Sequence, residues 1–230
     1  MDLLHSAKEE IPEAAEDARA LQLALEKRRD KVRGYFDELA GKFGRNYVPG
    51  RSWKGLAETL LQLMPPMVIA DLGAGEGTFS QLLAQRAERV IAIDNSANMV
   101  EFGARLAREN GIGNLEYRLG DLESPPIDDG TIDLAFFSQS LHHALHPERA
   151  VAAAARLLKP GGRIVILDLK RHNFEKAREL YADTWLGFPE VELRGFLESA
   201  GFAEVQSWVV DREAQSPGLE TILAMGRKLA

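Results

Sequence analysis

From Val68 onward, short apolar runs alternate with stretches of helical period, and this alternation most narrows what the chain can fold into. The runs are 68–72, 90–94, 115–119, 132–137 and 164–169; the stretches 78–89, 96–110 and 147–158 between them read as helices. Strands joined through helices line up in parallel, with the helices covering both faces of the sheet. Pro147 and Glu148 suit a first helical turn, and Lys159-Pro160-Gly161-Gly162 is a strong helix stop. After a helix-rich stretch, 172–201, the runs 203–210 and 221–226 read as two closing strands. The expected class is α/β, a doubly wound and mostly parallel sheet.

The chain before this alternation is helical in character. Leu21, Leu25, Val32, Phe36, Leu39 and Phe43 share one helix face, and the mixed-charge run 26–31 between them reads as a solvated face. A second helix, 52–64, ends at Pro65-Pro66. The expected division is a helical cap over 1–65 and one α/β domain over 66–230. No apolar run approaches the roughly 18 residues of a membrane span. The N-terminus has acids where a signal peptide carries its basic and apolar regions, so a cytoplasmic location with no membrane partner is expected.

The turn after the first expected strand reads Asp71-Leu72-Gly73-Ala74-Gly75-Glu76-Gly77-Thr78. Alternate glycines at a strand-to-helix turn let the backbone approach a ligand closely. In a dinucleotide fingerprint, G-x-G-x-x-G, pyrophosphate lies on the helix N-terminus. Here Thr78 replaces the last glycine, and Glu76 sets a carboxylate where phosphate would lie. A nicotinamide-dependent oxidoreductase is therefore disfavoured. A ligand with a ribose, positive charge and no phosphate suits the loop, and S-adenosylmethionine is such a ligand. Asp94, ending the second strand, can accept from ribose hydroxyls or cap the next helix.

Together with Gly120-Asp121-Leu122 and the Leu158-Lys159-Pro160-Gly161-Gly162 turn, these residues resemble the motifs of the class I, Rossmann-like S-adenosylmethionine-dependent methyltransferases. Within that family the chain is most similar to the small-molecule, type 11 and quinone-biosynthesis-like group. The resemblance is close over 68–137 and continues through 162. It implies a seven-stranded Rossmann-like sheet with an N-terminal helical cap. It also implies methyl transfer to an O, N or C nucleophile, with S-adenosylhomocysteine as product. By the same resemblance Asp71 and the backbone of Gly73, Ala74 and Gly75 would hold the methionine portion, and Asp94 the ribose. Asn95 and Met99 would lie beside the adenine, Asp121 would accept from its amino group, and the Leu122 amide would donate to the ring. Gly120 and Ser138 complete the implied set.

The fourth strand runs into Ser138-Gln139-Ser140-Leu141-His142-His143, a stretch that resembles small-molecule methyltransferases related to those of quinone biosynthesis. His143 and His142 are the candidate catalytic residues, since a neutral imidazole can take a proton from an acceptor hydroxyl or amine; packing against the next helix is the alternative for either. His142, His143 and His146 have no recognisable ligand spacing, so no metal is expected. Tyr35, Tyr47, Trp53 and Trp185 are expected to wall a substrate pocket.

Absences narrow the acceptor. Ser138-Gln139-Ser140 does not match the Asn/Asp-Pro-Pro-aromatic motif of many DNA and protein amino methyltransferases. The chain has no cysteine, which removes carbon-5 pyrimidine methylation and arsenite methylation. A net charge of −7 argues against direct nucleic-acid binding. A small-molecule acceptor remains.

Tyr35 to Ala40 and Val48 to Trp53 also resemble the stretch linking ArsR-type winged-helix regulators to methyltransferases in fused bacterial proteins. That leaves two further expectations: association with an ArsR-type DNA-binding domain, and, as an alternative to enzyme activity, a module that senses cofactor or product for a regulator. The long N-terminal helix could fold over the site or pair two copies into a homodimer.

Overall fold

The computed structural model describes residues 12–39, 53–214 and 217–229. The chain forms two compact units, Met1–Leu56 and Ala57–Ala230. In the first, α1 (Pro12–Leu39) opens with proline in its first turn, followed by Glu13. Leu21 and Leu25, from the expected apolar face, are exposed, as is Leu23.

Helix α2 (Trp53–Gln62) runs into the second unit, which is built on a sheet of seven strands. In chain order these are β1 (Val68–Leu72), β2 (Arg89–Asp94), β3 (Leu115–Leu119), β4 (Ile132–Ser138), β5 (Leu158–Leu169), β6 (Phe202–Arg212) and β7 (Glu220–Lys228). The spatial order is β3-β2-β1-β4-β5-β7-β6. Strands β1 to β5 pair in parallel, and β7 is antiparallel to both β5 and β6. The mostly parallel α/β fold expected from the sequence is the observed one.

The apolar runs lack the alternation of a half-exposed sheet because both faces are buried. Successive side chains point to opposite faces. Ala70, Leu72, Ile91, Ile93, Ile164 and Ile166 pack on one side, against helices α5 (Pro147–Leu157) and α7 (Glu190–Ser199). Ile69, Val90 and Leu134 pack on the other, with Leu61 of α2 and Leu83 of α3 (Thr78–Ala84). Helix α4 (Ala97–Glu109) covers β2 and β3.

Three segments depart from expectation. Helix α3 ends at Ala84, because the chain turns at Gln85 and the amides of Glu88 and Arg89 donate to Met67 O to start β2. Strand β5 begins at Leu158: the Lys159 to Gly162 turn is a bulge within the strand, so that Ile132 pairs with Leu158 but Leu134 with Arg163. The 172–201 stretch holds only α6 (Ala177–Leu180) and α7, with irregular backbone between them.

Candidate functional site

Ligands bind outside the carboxyl ends of parallel strands where the strand order reverses, here between β1 and β4. A cleft of about 630 Å³ opens there, lined by the ends of β1, β2, β3 and β4 and by Ala182. Its size lies within the usual range for small-molecule sites, about 300–1,000 Å³.

The glycine loop is built from left-handed backbone. Gly73, Gly75 and Gly77 have φ of 81°, 56° and 76°. The amides of Gly73 and Ala74 both donate to Ile93 O at 2.9 Å, which ties the loop to β2. Ser140 Oγ donates to Leu72 O at 2.6 Å, joining the end of β4 to the same loop. A Cβ at Gly75 would meet nothing within 4 Å, so this backbone faces open space.

Asp94 sits opposite. One carboxylate oxygen accepts from the Gly75 amide at 2.8 Å, and the other from the Ser96 amide at 2.9 Å. Ser96 in turn is the N-cap of α4, accepting from the Met99 amide. Asp94 therefore braces the loop, opens the next helix and faces the cleft. The cap role falls to Ser96, although both roles were open for Asp94 from sequence.

Of the expected cofactor residues, the cleft brings together Gly73, Gly75, Asp94, Asn95, Met99, Asp121 and Leu122. Ala74, Gly120, Ser138 and Asp71 do not line it. At Gly120 a Cβ would lie 2.3 Å from Pro126 Cδ, so the bare backbone there serves packing. Sequence reasoning missed Ser96, Ala144, Leu145 and Ala182, and gave no role to Gln139 and Ser140 within the stretch that ends β4. Gln139 and Ala182 hold positive φ, 53° and 61°, a conformation no local pattern announces and one that gathers at functional sites.

Asp71 lies beneath the loop. It is 1% exposed, Ser80 Oγ donates to it at 2.5 Å, and its other oxygen has no partner among the described residues. Burial pushes its carboxyl up to about 6, against the Ser80 hydrogen bond and with the Asp94 charge adding to the rise. In the unfolded chain an aspartate titrates near 3.9. The native state therefore holds the extra proton between about pH 4 and 6, and stability falls as pH rises through that window. A shift of this size corresponds to roughly 3 kcal/mol. Asp71→Asn is expected to flatten the decline between about pH 4 and 7, which chemical denaturation of parent and variant at a series of pH values would show.

The acceptor end carries the histidines. His143 lines the cleft and is exposed; its Nδ1 donates to Ala182 O at 3.2 Å. Burial and the neighbouring His142 hold its pKa below the ordinary value. His142 is 4% exposed, with Nδ1 2.7 Å from Asp168 Oδ1 and Nε2 3.6 Å from Asp183 Oδ1. Burial opposes its charging, but Asp168 and Asp183 outweigh this and raise its pKa. Trp185 is fixed through its indole N–H, which donates to Ala144 O at 3.0 Å, and it packs against the main core. Tyr47 lies outside the described residues, and for Tyr35 and Trp53 only the helical backbone is described.

The lining suits a cationic nucleoside. Among the described residues it contains two carboxylates, Asp94 and Asp121, and no lysine or arginine that would pair with phosphate. The bare backbone at Gly75 leaves room for a ligand bearing an ammonium and a sulfonium, and the Asp71 carboxylate lies beneath the loop.

Residues 70–166 match a methyltransferase domain. The ubiquinone/menaquinone biosynthesis C-methyltransferase of Hydrogenovibrio crunogenus is 31% identical over 159 residues, which cover 65% of this chain and 63% of that protein. The chain thus spans less than two thirds of that relative's length. Among solved structures, the YcgJ protein from Bacillus subtilis superposes with a TM-score of 0.63 at 19% identity, covering 77% of this chain and 98% of that one. An S-adenosylmethionine-dependent methyltransferase from Aquifex aeolicus gives 0.57 at 22% identity, covering 75% and 89%. At such identities the two structures show a shared fold. Residues 70–166 are thus similar to a methyltransferase domain, on a fold shared with S-adenosylmethionine-dependent methyltransferases of known structure.

Proposed function

We propose that the chain transfers a methyl group from S-adenosylmethionine to a small-molecule nucleophile. One observation carries this reading: a nucleoside-sized cleft, floored by bare glycine backbone, has carboxylates but no lysine or arginine among its described lining residues, and a histidine at its far end. When bound, S-adenosylmethionine supplies an electrophilic methyl group on a positively charged sulfur.

The chain's own residues do the rest. Asp94 is placed to accept from the ribose hydroxyls while its Gly75 and Ser96 bonds keep it oriented. Asp121, whose side chain also accepts from the Glu123 amide at 2.7 Å, is placed for the adenine amino group, with Asn95, Met99 and Leu122 along the base. The Gly73 to Gly75 backbone faces the methionine portion. Asp71 contributes negative charge from below. Catalysis is then mainly positioning, because in-line displacement needs the nucleophile held against the methyl group with water excluded.

His143 is the group through which the acceptor is activated. His142, by contrast, is buried and held by Asp168, and it acts through position rather than direct contact with the acceptor. The named activity of the Hydrogenovibrio relative, C-methylation in ubiquinone and menaquinone biosynthesis, supports an electron-rich phenol or quinol as acceptor class.

The test is an acceptor panel with methyl-labelled S-adenosylmethionine. Label in a phenolic or quinol product, with one S-adenosylhomocysteine formed per methyl transferred, is the expected outcome. Tight S-adenosylhomocysteine binding without turnover on any acceptor would overturn it in favour of a sensing module.

A further inference from the structure

We propose that the chain binds a divalent transition-metal ion through His142, His143 and Asp183, at the acceptor end of the cleft. What the ion does there rests on the methyl-transfer reading; whether it binds does not. The two histidines lie in the 3₁₀ turn after β4, and Asp183 comes from the irregular backbone after α6. One donor atom from each lies within 4.8 Å of the other two.

The separations are close to those of a ligand set. Zinc sits about 2.0–2.2 Å from nitrogen and oxygen donors, which places tetrahedral neighbours about 3.4 Å apart. His142 Nε2 and Asp183 Oδ1 already stand at 3.6 Å. A donor atom of the exposed His143 lies within 4.8 Å of both, so a small shift of its side chain would close the set.

Hydrogen bonding leaves the right atoms free. Asp168 accepts from His142 Nδ1, and it also accepts from the amides of Leu141, His142 and Leu169, so its position is fixed from several sides. With the Nδ1 proton committed, the neutral His142 ring presents a lone pair at Nε2. In that neutral form the lone pair lies 3.6 Å from Asp183 Oδ1, an arrangement that only a proton or a cation between the two satisfies. Asp183 Oδ2 is buried and has no hydrogen-bond partner among the described residues. His143 likewise has Nδ1 engaged with Ala182 O, leaving Nε2 unengaged. Metal-bound histidines typically donate their other ring N–H to a carboxylate or a backbone carbonyl, and both partners occur here. A proton on His142 Nε2 would satisfy only that ring and Asp183 Oδ1. An ion engages all three side chains.

Two imidazoles and one carboxylate favour zinc, iron(II) or manganese(II) over calcium or magnesium. Three protein ligands leave coordination positions open. His143 and Ala182 line the cleft, so an ion held there would be reachable from it. An acceptor hydroxyl bound there would lose its proton to solvent more readily. Its oxygen then forms the bond to the methyl carbon as the carbon–sulfur bond breaks and its electron pair passes to sulfur; where a conjugated ring carbon attacks instead, that carbon's proton passes to solvent as aromaticity returns.

The test uses the untagged full chain, stripped with a chelator and titrated with Zn²⁺ by calorimetry and with Co²⁺ by visible spectroscopy. One ion per chain is expected. His143→Ala, at an exposed position, and Asp183→Asn are each expected to weaken binding at least about 10-fold, and Asp168→Asn by about 10–100-fold. His146→Ala is expected to bind as the parent does. A stripped chain that takes up neither ion while still binding S-adenosylhomocysteine would overturn the metal site and leave the methyl-transfer reading standing. Unchanged affinity in both His143→Ala and Asp183→Asn would also overturn the site. Stoichiometric metal uptake without S-adenosylhomocysteine binding would instead uphold the metal site and count against methyl transfer.

Discussion

Asp94→Ala is expected to weaken S-adenosylhomocysteine binding by about 100-fold or more, the largest loss of affinity for any single side chain of the cleft. Hydrogen bonds to a charged group contribute about 1.5–3 kcal/mol each, and every 1.4 kcal/mol is about a factor of ten. A ribose offers two hydroxyls, so losing their acceptor removes two such bonds at once. The substitution also frees the Gly75 and Ser96 amides, which Asp94 holds at 2.8 and 2.9 Å, so the glycine loop loses its brace. Asp94→Asn keeps one acceptor oxygen without the charge and is expected to fall between alanine and parent. Calorimetric titration gives the affinities, and thermal unfolding checks that the variants remain folded. Parent-like affinity in the alanine variant would remove Asp94 from the cofactor site.

The second large effect separates two glycines of one loop. At Gly73, φ is +81° and a Cβ would lie 2.4 Å from Ser140 Cβ and 2.9 Å from Ser140 Oγ. That neighbour sits against the backbone and is held by its own bond to Leu72 O, so it cannot swing aside. Gly73→Ala is therefore expected to cost several kcal/mol of stability, from the clash together with about 1–2 kcal/mol for left-handed backbone. At Gly75, φ is +56° but a Cβ would meet nothing within 4 Å. Gly75→Ala is expected to lose only about 1–2 kcal/mol of stability. Its methyl group, however, occupies the space a bound cofactor needs, so affinity falls sharply in a chain that still folds. Denaturation midpoints and cofactor titration on the two variants measure the contrast. Equal stability loss at both positions would contradict the packing described around Ser140.

Both predictions rest on residues that were legible in the sequence, and the reason is local. The parallel strands announce themselves as apolar runs because both faces are buried: Ile69 and Val90 on one side, Ala70 and Ile91 on the other. The glycine loop announces itself because close approach and left-handed backbone demand residues without side chains. What was not legible depends on long-range contact. Asp168, at the end of β5, and Asp183, on irregular backbone, converge on His142 only once the sheet has formed. A carboxylate ending a parallel strand is a signal that could have singled out Asp168. Nothing local marks Asp183, or the positive φ of Gln139 and Ala182. The Lys159 to Gly162 turn reads as a helix stop and is one, but its second role as a bulge within β5 follows from pairing with β4.

The most direct test of the central claim is calorimetric titration of the untagged parent chain with S-adenosylhomocysteine. The predicted result is one site per chain, with an upward shift of the unfolding temperature. At a ligand concentration about 100 times the dissociation constant, that shift corresponds to roughly 2.7 kcal/mol. A folded chain that gives neither binding heat nor thermal stabilisation with S-adenosylhomocysteine or S-adenosylmethionine would contradict the assignment of this cleft.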